Sequence, residues 1–139
     1  MSGFLLDTNV ISELVKAKPE PRVAGWIENI DESLLYLSVL TLGEIREGIT
    51  SLRDGARRLS LEAWLDRDLA LRFSDRIISI DLDVADRWGR IAGNARKKPL
   101  PVIDGLLAAT ALHCDLTLVT RNIADIAGSG VAVFNPWEA

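Results

Sequence analysis

The sequence predicts an α/β domain, a parallel sheet of short strands with helices packed on both of its faces. Short apolar runs alternate along the chain with longer stretches whose apolar residues recur at helical spacing, as expected of strand–helix–strand units. The apolar runs are continuous, with no polar alternation, which suits a sheet covered on both sides. Length agrees. The 139 residues, 48% apolar and 26% charged, amount to about one domain, so residues 1–139 are expected to form a single unit. A chain of this size can bury about two-thirds of the surface that it exposes when unfolded.

Gly3–Leu6 is an apolar run that ends on Asp7 and meets Thr8 and Asn9 at once. It predicts a buried strand entering a helix capped by Asp7 or Thr8. Val10, Ile11, Leu14 and Val15 give that helix one apolar face, and the Lys-Pro and Glu-Pro steps at 18–21 end it, because a residue before proline avoids the helical region. A second helix is expected over Arg22–Ile30, with Val23, Trp26, Ile27 and Ile30 on one side. Leu34–Val39 reads as the next strand. Thr41 then offers a helix cap with Glu44 three residues on, a capping-box match, and Leu42, Ile45, Ile49 and Leu52 supply the stripe behind it.

An amphipathic stretch runs from Arg57 to Arg72, with Leu61, Trp64, Leu65, Leu69 and Phe73 at helical spacing. Arg57, Arg58, Arg67, Arg72 and Arg76 are interspersed there with acids, the pattern of a salt-bridged surface. Ile77–Ile80 is a third strand and Val84–Ala95 a further helix. Past Pro99 and Pro101, Val102–His113 is an apolar helix with Asp104 near its start. Leu116–Thr120 and Val131–Phe134 complete a sheet of five strands.

Composition excludes several classes of function. Sixteen Lys and Arg against 20 Asp and Glu give a net charge of −4, which argues against a protein that simply coats nucleic acid. The single Cys114 allows no internal disulfide and no cysteine zinc cluster, and among Ala111, Leu112 and Leu116 it reads as a small buried hydrophobe. One histidine, His113, and no GxxxxGK[ST] or GxGxxG run argue against a Cys–His pair, zinc hydrolysis and a nucleotide phosphate loop. No apolar run approaches the roughly 20 residues needed to cross a bilayer, and the start MSGFLLDTN lacks a basic leader region. A cytoplasmic location away from membranes is expected.

The positions of the carboxylates are more informative than their number. Asp7 stands at the carboxyl end of the first strand, where open α/β sheets place their binding crevice. A helix cap explains it equally well. Glu44 in a first helical turn would suit the positive end of the helix dipole, so capping explains it too. Asp104, between Ile103 and Leu106, needs a partner or a cation if buried. Thr120, Arg121 and Asn122 follow a strand, with Asp125 just beyond. Asp7, Glu44, Asp104 and Asn122 each begin or follow an element, and together they offer oxygen ligands with little nitrogen or sulfur. Such hard donors select Mg²⁺ or Mn²⁺ over zinc.

These residues also carry a family resemblance. LLDTNVISEL at 5–14, LSVLTLGEIREG at 37–48, VIDGLLAATAL at 102–112 and LVTRN at 118–122 resemble, in order and spacing, the PIN domains of VapC/FitB-type toxins from bacterial toxin–antitoxin pairs. VFNPW at 133–137 is similar to the FitB-like branch. The resemblance spans essentially the whole chain and implies a PIN-like three-layer fold around a mostly parallel five-stranded sheet. It implies a metal-dependent endoribonuclease with one or two Mg²⁺ or Mn²⁺ ions per site. It further implies a homodimer neutralised by a VapB/FitA-like antitoxin, with operator DNA met only through that antitoxin and RNA, for instance tRNA, as substrate.

By position, Asp7, Glu44 and Asp104 fall on the family's acidic metal-binding triad. Asn122 falls where many members carry a fourth acid, and Asp125 is placed to compensate at a weaker second ion. Thr8, Asn9 and Thr120 fall on supporting positions. Arg46, Arg96, Lys97, Lys98 and Arg121 are the basic candidates for RNA contact; a solvated helix end also explains 96–98. The departure at Asn122 leaves a second reading open, a degenerate PIN domain that binds RNA or antitoxin without cleaving. A phosphatase with an aspartyl nucleophile would want DxD where this chain has Asp7-Thr8-Asn9, and a receiver-like module would want paired acids at that first strand end.

Overall fold

The computed structural model of the chain describes residues 3–95 and 99–139. Five strands form one sheet: β1 (Gly3–Leu6), β2 (Leu35–Ser38), β3 (Ile77–Ile78), β4 (Leu116–Val119) and β5 (Val133–Phe134). Their order across the sheet is β3-β2-β1-β4-β5, and every pairing is parallel. Gly3 pairs with Leu116 and Leu6 with Val119, so β1 and β4 end together.

Successive strand residues point to opposite faces, and each face has its own core. Leu6, Leu35, Leu37 and Val119 face one way, with Phe4, Ile77 and Phe134 packed alongside; Leu5, Leu116 and Leu118 face the other, joined by Tyr36, Ile78 and Val133. The first core is covered by α1 (Thr8–Leu14), α2 (Pro21–Asn29) and α3 (Val39–Thr50) through Val10, Ile11, Val23, Ile27, Ile45 and Ile49. The second is covered by α7 (Val102–His113) through Leu107, Ala108 and Ala111, and by the short α8 (Ile123–Ile126) through Ile126. Cys114 is half-buried at the edge of this second core. α6 (Leu82–Asn94) packs on the outside of α7. Burial on both faces is the physical reason that the strands read as unbroken apolar runs.

The stretch expected as one regular helix over 57–72 is divided. α4 (Ala56–Ala63) passes into a π-helical turn, Trp64–Leu69, and then into α5 (Ala70–Arg72). Leu65, Leu69 and Phe73, spaced four apart, are all buried in the first core. Four residues overshoot an α-helical turn by about 40°. The wider turn undershoots it, and combining the two keeps all three side chains on one line. Arg72 and Arg76 lie over the Phe73 ring at 5.3 and 5.0 Å and both reach Glu32, at 2.9 and 3.3 Å.

The capping box expected at Thr41 and Glu44 is not formed. α3 begins earlier, at Val39, with the Ser38 hydroxyl accepting a bond from Leu40 N at 3.0 Å. Ser38 closes β2 and is fully buried, so the strand passes into the helix with no intervening loop. Thr41 is consequently inside the helix and buried, and Glu44 lies in the second turn. No helix of the described residues is long and apolar enough to cross a membrane.

Candidate active site

The strand order doubles back at β1, with β2 and β3 on one side of it and β4 and β5 on the other. That switch point leaves a crevice outside the carboxyl ends of β1 and β4. Asp7 and Thr120 are the residues that leave those two strands. Asp7 N still donates to Val119 O at 2.9 Å, so the side chain is presented from fixed backbone.

Asp7 is only 5% exposed. One carboxylate oxygen, Oδ1, caps α1 by accepting from Thr8 N at 2.7 Å; the other, Oδ2, accepts from Thr120 Oγ1 at 2.7 Å and from Asn9 Nδ2 at 3.4 Å. Capping and a place at the crevice are therefore both true of Asp7, one oxygen to each. Burial pushes its carboxyl up, while the bonds from Thr120 and Thr8 pull it back part of the way. The Thr120 hydroxyl also accepts from Asn122 N at 3.0 Å and lies 3.5 Å from Asn9 Nδ2. One buried hydroxyl thus ties the end of β4 to the acid at the end of β1.

Glu44 approaches from α3. Its Oε1 accepts from Thr8 Oγ1 at 2.5 Å, which joins the start of α1 to the second turn of α3 through a charge-assisted bond. With the helix start at Val39, the dipole explanation for Glu44 weakens, because the dipole acts within the first turn. Asp104 approaches from the first turn of α7, where it makes no capping bond. It is half-buried, and its carboxyl is pushed up to about 6 by that burial and by the neighbouring charges of Asp7, Asp125 and Glu44. Carboxylates from four separate segments therefore feel one another across this crevice.

Asn122 occupies the cap position of α8, is exposed, and gives no side-chain capping bond; Asp125 follows in the first turn of that helix. Of the basic candidates, Arg46 is exposed and ion-paired with Asp66 on the π turn, and Arg121 stacks over the Trp137 ring at 5.0 Å. Arg96, Lys97 and Lys98 lie outside the described residues. One buried group escaped the sequence reading. Glu13 is a buried acid that holds Lys16 Nζ at 2.8 Å and Glu20 N at 2.9 Å, fixing the turn between α1 and α2. Its place inside the apolar run VISEL was the available signal.

Among the described residues, the three side chains whose ligand atoms all lie within 4.8 Å of one another are Asp81, Asp83 and His113. All three are exposed, and Asp81 caps α6 through Val84 N at 2.9 Å. Asp7, Glu44 and Asp104 are not drawn together that tightly. Their donor set is all oxygen, their charges repel, and the buried Asn9 Oδ1 beside them has no hydrogen-bond partner. That combination fits a hard divalent cation, which would offset the repulsion and accept oxygen donors.

Comparison with known proteins identifies the fold. The PIN domain family model matches residues 4–124. Toxin FitB of Neisseria gonorrhoeae is 37% identical over 137 residues, covering 97% of this chain and 99% of that protein. VapC ribonuclease Y4jK of Sinorhizobium fredii is 34% identical over 137 residues, covering 97% and 98%. The crystal structure of FitAcB from Neisseria gonorrhoeae superposes with a TM-score of 0.92 at 36% identity, covering 98% of this chain and 99% of that one. A switch-point crevice lined by carboxylates on an all-parallel five-stranded sheet, and likeness over nearly the full length, lead to one conclusion: the chain belongs to the PIN domain family, in the group that includes the FitB and VapC toxins.

Proposed function

We propose that this chain is a Mg²⁺- or Mn²⁺-dependent endoribonuclease, the toxin of a type II toxin–antitoxin pair, acting through residues 1–139 as one PIN domain. The observation that carries the proposal is the buried Asp7 carboxylate at the switch point, held by Thr120 and Thr8, with Glu44 bonded to the same Thr8 and Asp104 close enough to feel both charges. A bound cation would offset the repulsion among like charges gathered at a switch point. The ribonuclease name of Y4jK supports the reaction class.

When bound, a divalent cation supplies charge to offset the phosphate and makes a water more acidic. The Asp7 and Asp104 carboxylates would hold it. Thr120 and Thr8 leave the Asp7 carboxylate little freedom to turn. Glu44 has Oε1 fixed by Thr8, and its Oε2 is the acceptor for a proton from the attacking water. Asn122 and Asp125 would bind a second ion more weakly, since an amide brings no charge. Arg121 and Arg46, with Arg96, Lys97 and Lys98, are the proposed contacts to the RNA backbone. Arg87 and Arg90 are added to them, because they line a cleft of about 1010 Å³ that reaches Asp125.

The proposed partner is a small FitA/VapB-like antitoxin, supported by the solved FitAB and VapBC assemblies. A cleft lined by carboxylates suits a basic antitoxin side chain, which would compete with the metal. The net charge of −4 favours operator DNA being met through the antitoxin. A homodimer in the cytoplasm completes the proposal. A second reading, binding of RNA or antitoxin without cleavage, is favoured only by Asn122 standing in place of an acid. Incubating the purified chain with a panel of structured RNAs, with Mg²⁺ or with EDTA, separates the two. Cleavage that needs metal and is lost in Asp7→Ala supports the nuclease; binding without cleavage supports the second reading.

A further inference from the structure

Next to Asp104 in the first turn of α7 is a buried glycine, Gly105. A Cβ there would stand 3.0 Å from Cδ1 and from Nε1 of Trp88 on α6, and 3.0 Å from Cδ2 of Leu100. Ordinary carbon contacts lie at about 3.5–4.0 Å. An alanine would therefore force α6 and α7 apart, or displace the indole, by a few tenths of an ångström. Backbone conformation does not call for glycine here, since Gly105 is not among the positive-φ residues and sits in regular helix. Helix propensity calls against it, by about 1 kcal/mol relative to alanine. The close approach of Trp88, with Leu100 beside it, explains it. Trp88 Nε1 is itself buried without a hydrogen-bond partner among the described residues, so shape rather than a polar bond to them wedges the indole in place.

We infer that Gly105 and Trp88 form an interlock that sets how closely the start of α7 lies against α6, and through it where the Asp104 carboxylate stands relative to Asp7 and Glu44. Both are positioning residues. The inference rests on the proposal that these carboxylates hold a divalent cation. It predicts an unusual separation of effects. Filling the glycine adds helix propensity and places volume against Trp88 and Leu100 rather than on a ligand atom, yet it moves the one acid that α7 contributes.

The test compares wild type, Gly105→Ala, Gly105→Val, Trp88→Leu and the Gly105→Ala/Trp88→Leu double variant. Mn²⁺ affinity is measured by calorimetry, folding by thermal melting, and RNA cleavage at saturating Mn²⁺. Mn²⁺ should bind at least threefold more weakly to Gly105→Ala and at least tenfold more weakly to Gly105→Val, with the alanine variant melting no more than a few degrees below wild type. Removing the indole should return the affinity of the alanine variant to within twofold of the Trp88→Leu single variant. Wild-type Mn²⁺ affinity in both glycine variants, or no recovery in the double variant, overturns the interlock while leaving the metal site standing. A wild-type chain that binds no Mn²⁺ and cleaves no RNA overturns the metal reading, and the interlock with it. If the valine variant does not fold, the alanine and double variants still decide.

Discussion

Asp104→Asn should make the metal-free protein more stable while removing its activity. The charge on Asp104 is opposed by burial and by three other carboxylates, which raise its carboxyl from 3.8 to about 6. At about 1.4 kcal/mol per pH unit, that rise corresponds to a ceiling of about 3 kcal/mol at neutral pH. Asp104 is half-exposed, so solvent screening reduces the expected value to about 1 kcal/mol. The positive end of the α7 dipole works in the opposite direction and favours the lower end of that range.

The sign follows from proton binding. Between pH 3.8 and about 6 the folded state holds the Asp104 proton more tightly than the unfolded state does. Wild type therefore loses stability as pH rises through that window, and the loss is complete above it. Asparagine has nothing to titrate. In EDTA at pH 7.5 the variant should melt about 3 °C above wild type, and the gap should close at pH 4. Mg²⁺ should raise the melting point of wild type and leave that of the variant nearly unchanged. A variant no more stable than wild type at pH 7.5, or a gap that is the same at both pH values, refutes the argument that these carboxylates repel one another.

Other outcomes follow from the same geometry. Apparent Mn²⁺ affinity should climb about tenfold per pH unit below pH 6 and flatten above it, as Asp104 ionises; calorimetry at four pH values reads this directly. Thr120→Val removes the buried hydroxyl that serves Asp7 Oδ2 at 2.7 Å and Asn122 N at 3.0 Å. Urea denaturation should show a loss of about 2 kcal/mol, with Thr120→Ser close to wild type. Arg46→Ala breaks an exposed ion pair with Asp66 and should change stability by less than about 1 kcal/mol in the same assay. Arg121→Ala should weaken RNA binding and lower the slope of log affinity against log salt by about one, measured by filter binding over a salt series.

Much of this architecture was legible from local pattern. The strand at 3–6 and the helix at 102–113 have the residue limits that the apolar runs indicate, because nothing competes for their ends: Asp7 stops one, and Pro101 and Asp115 bracket the other. The carboxylates were legible because each adjoins an apolar run, and a strand end in a parallel sheet leads to the crevice. Four features were not. Ser38 and Thr41 are both competent helix caps, and only the tight turn from β2 into α3 selects Ser38. The π turn at 64–69 preserves the same four-residue spacing that a regular helix would show. The engagement of Arg46 with Asp66 and of Arg121 with Trp137 depends on residues 20 and 16 positions away, beyond any local pattern. Gly105 was equally silent, since its meaning lies in a tryptophan on another helix.

Asp7 and Asp104 are proposed to hold a divalent cation with Glu44 beside it. The most direct measurement is an anomalous difference map from crystals of the full chain grown with Mn²⁺. A peak about 2.1 Å from a carboxylate oxygen of both Asp7 and Asp104 is the predicted result. A map with no peak there, or with its only peak among Asp81, Asp83 and His113, contradicts it.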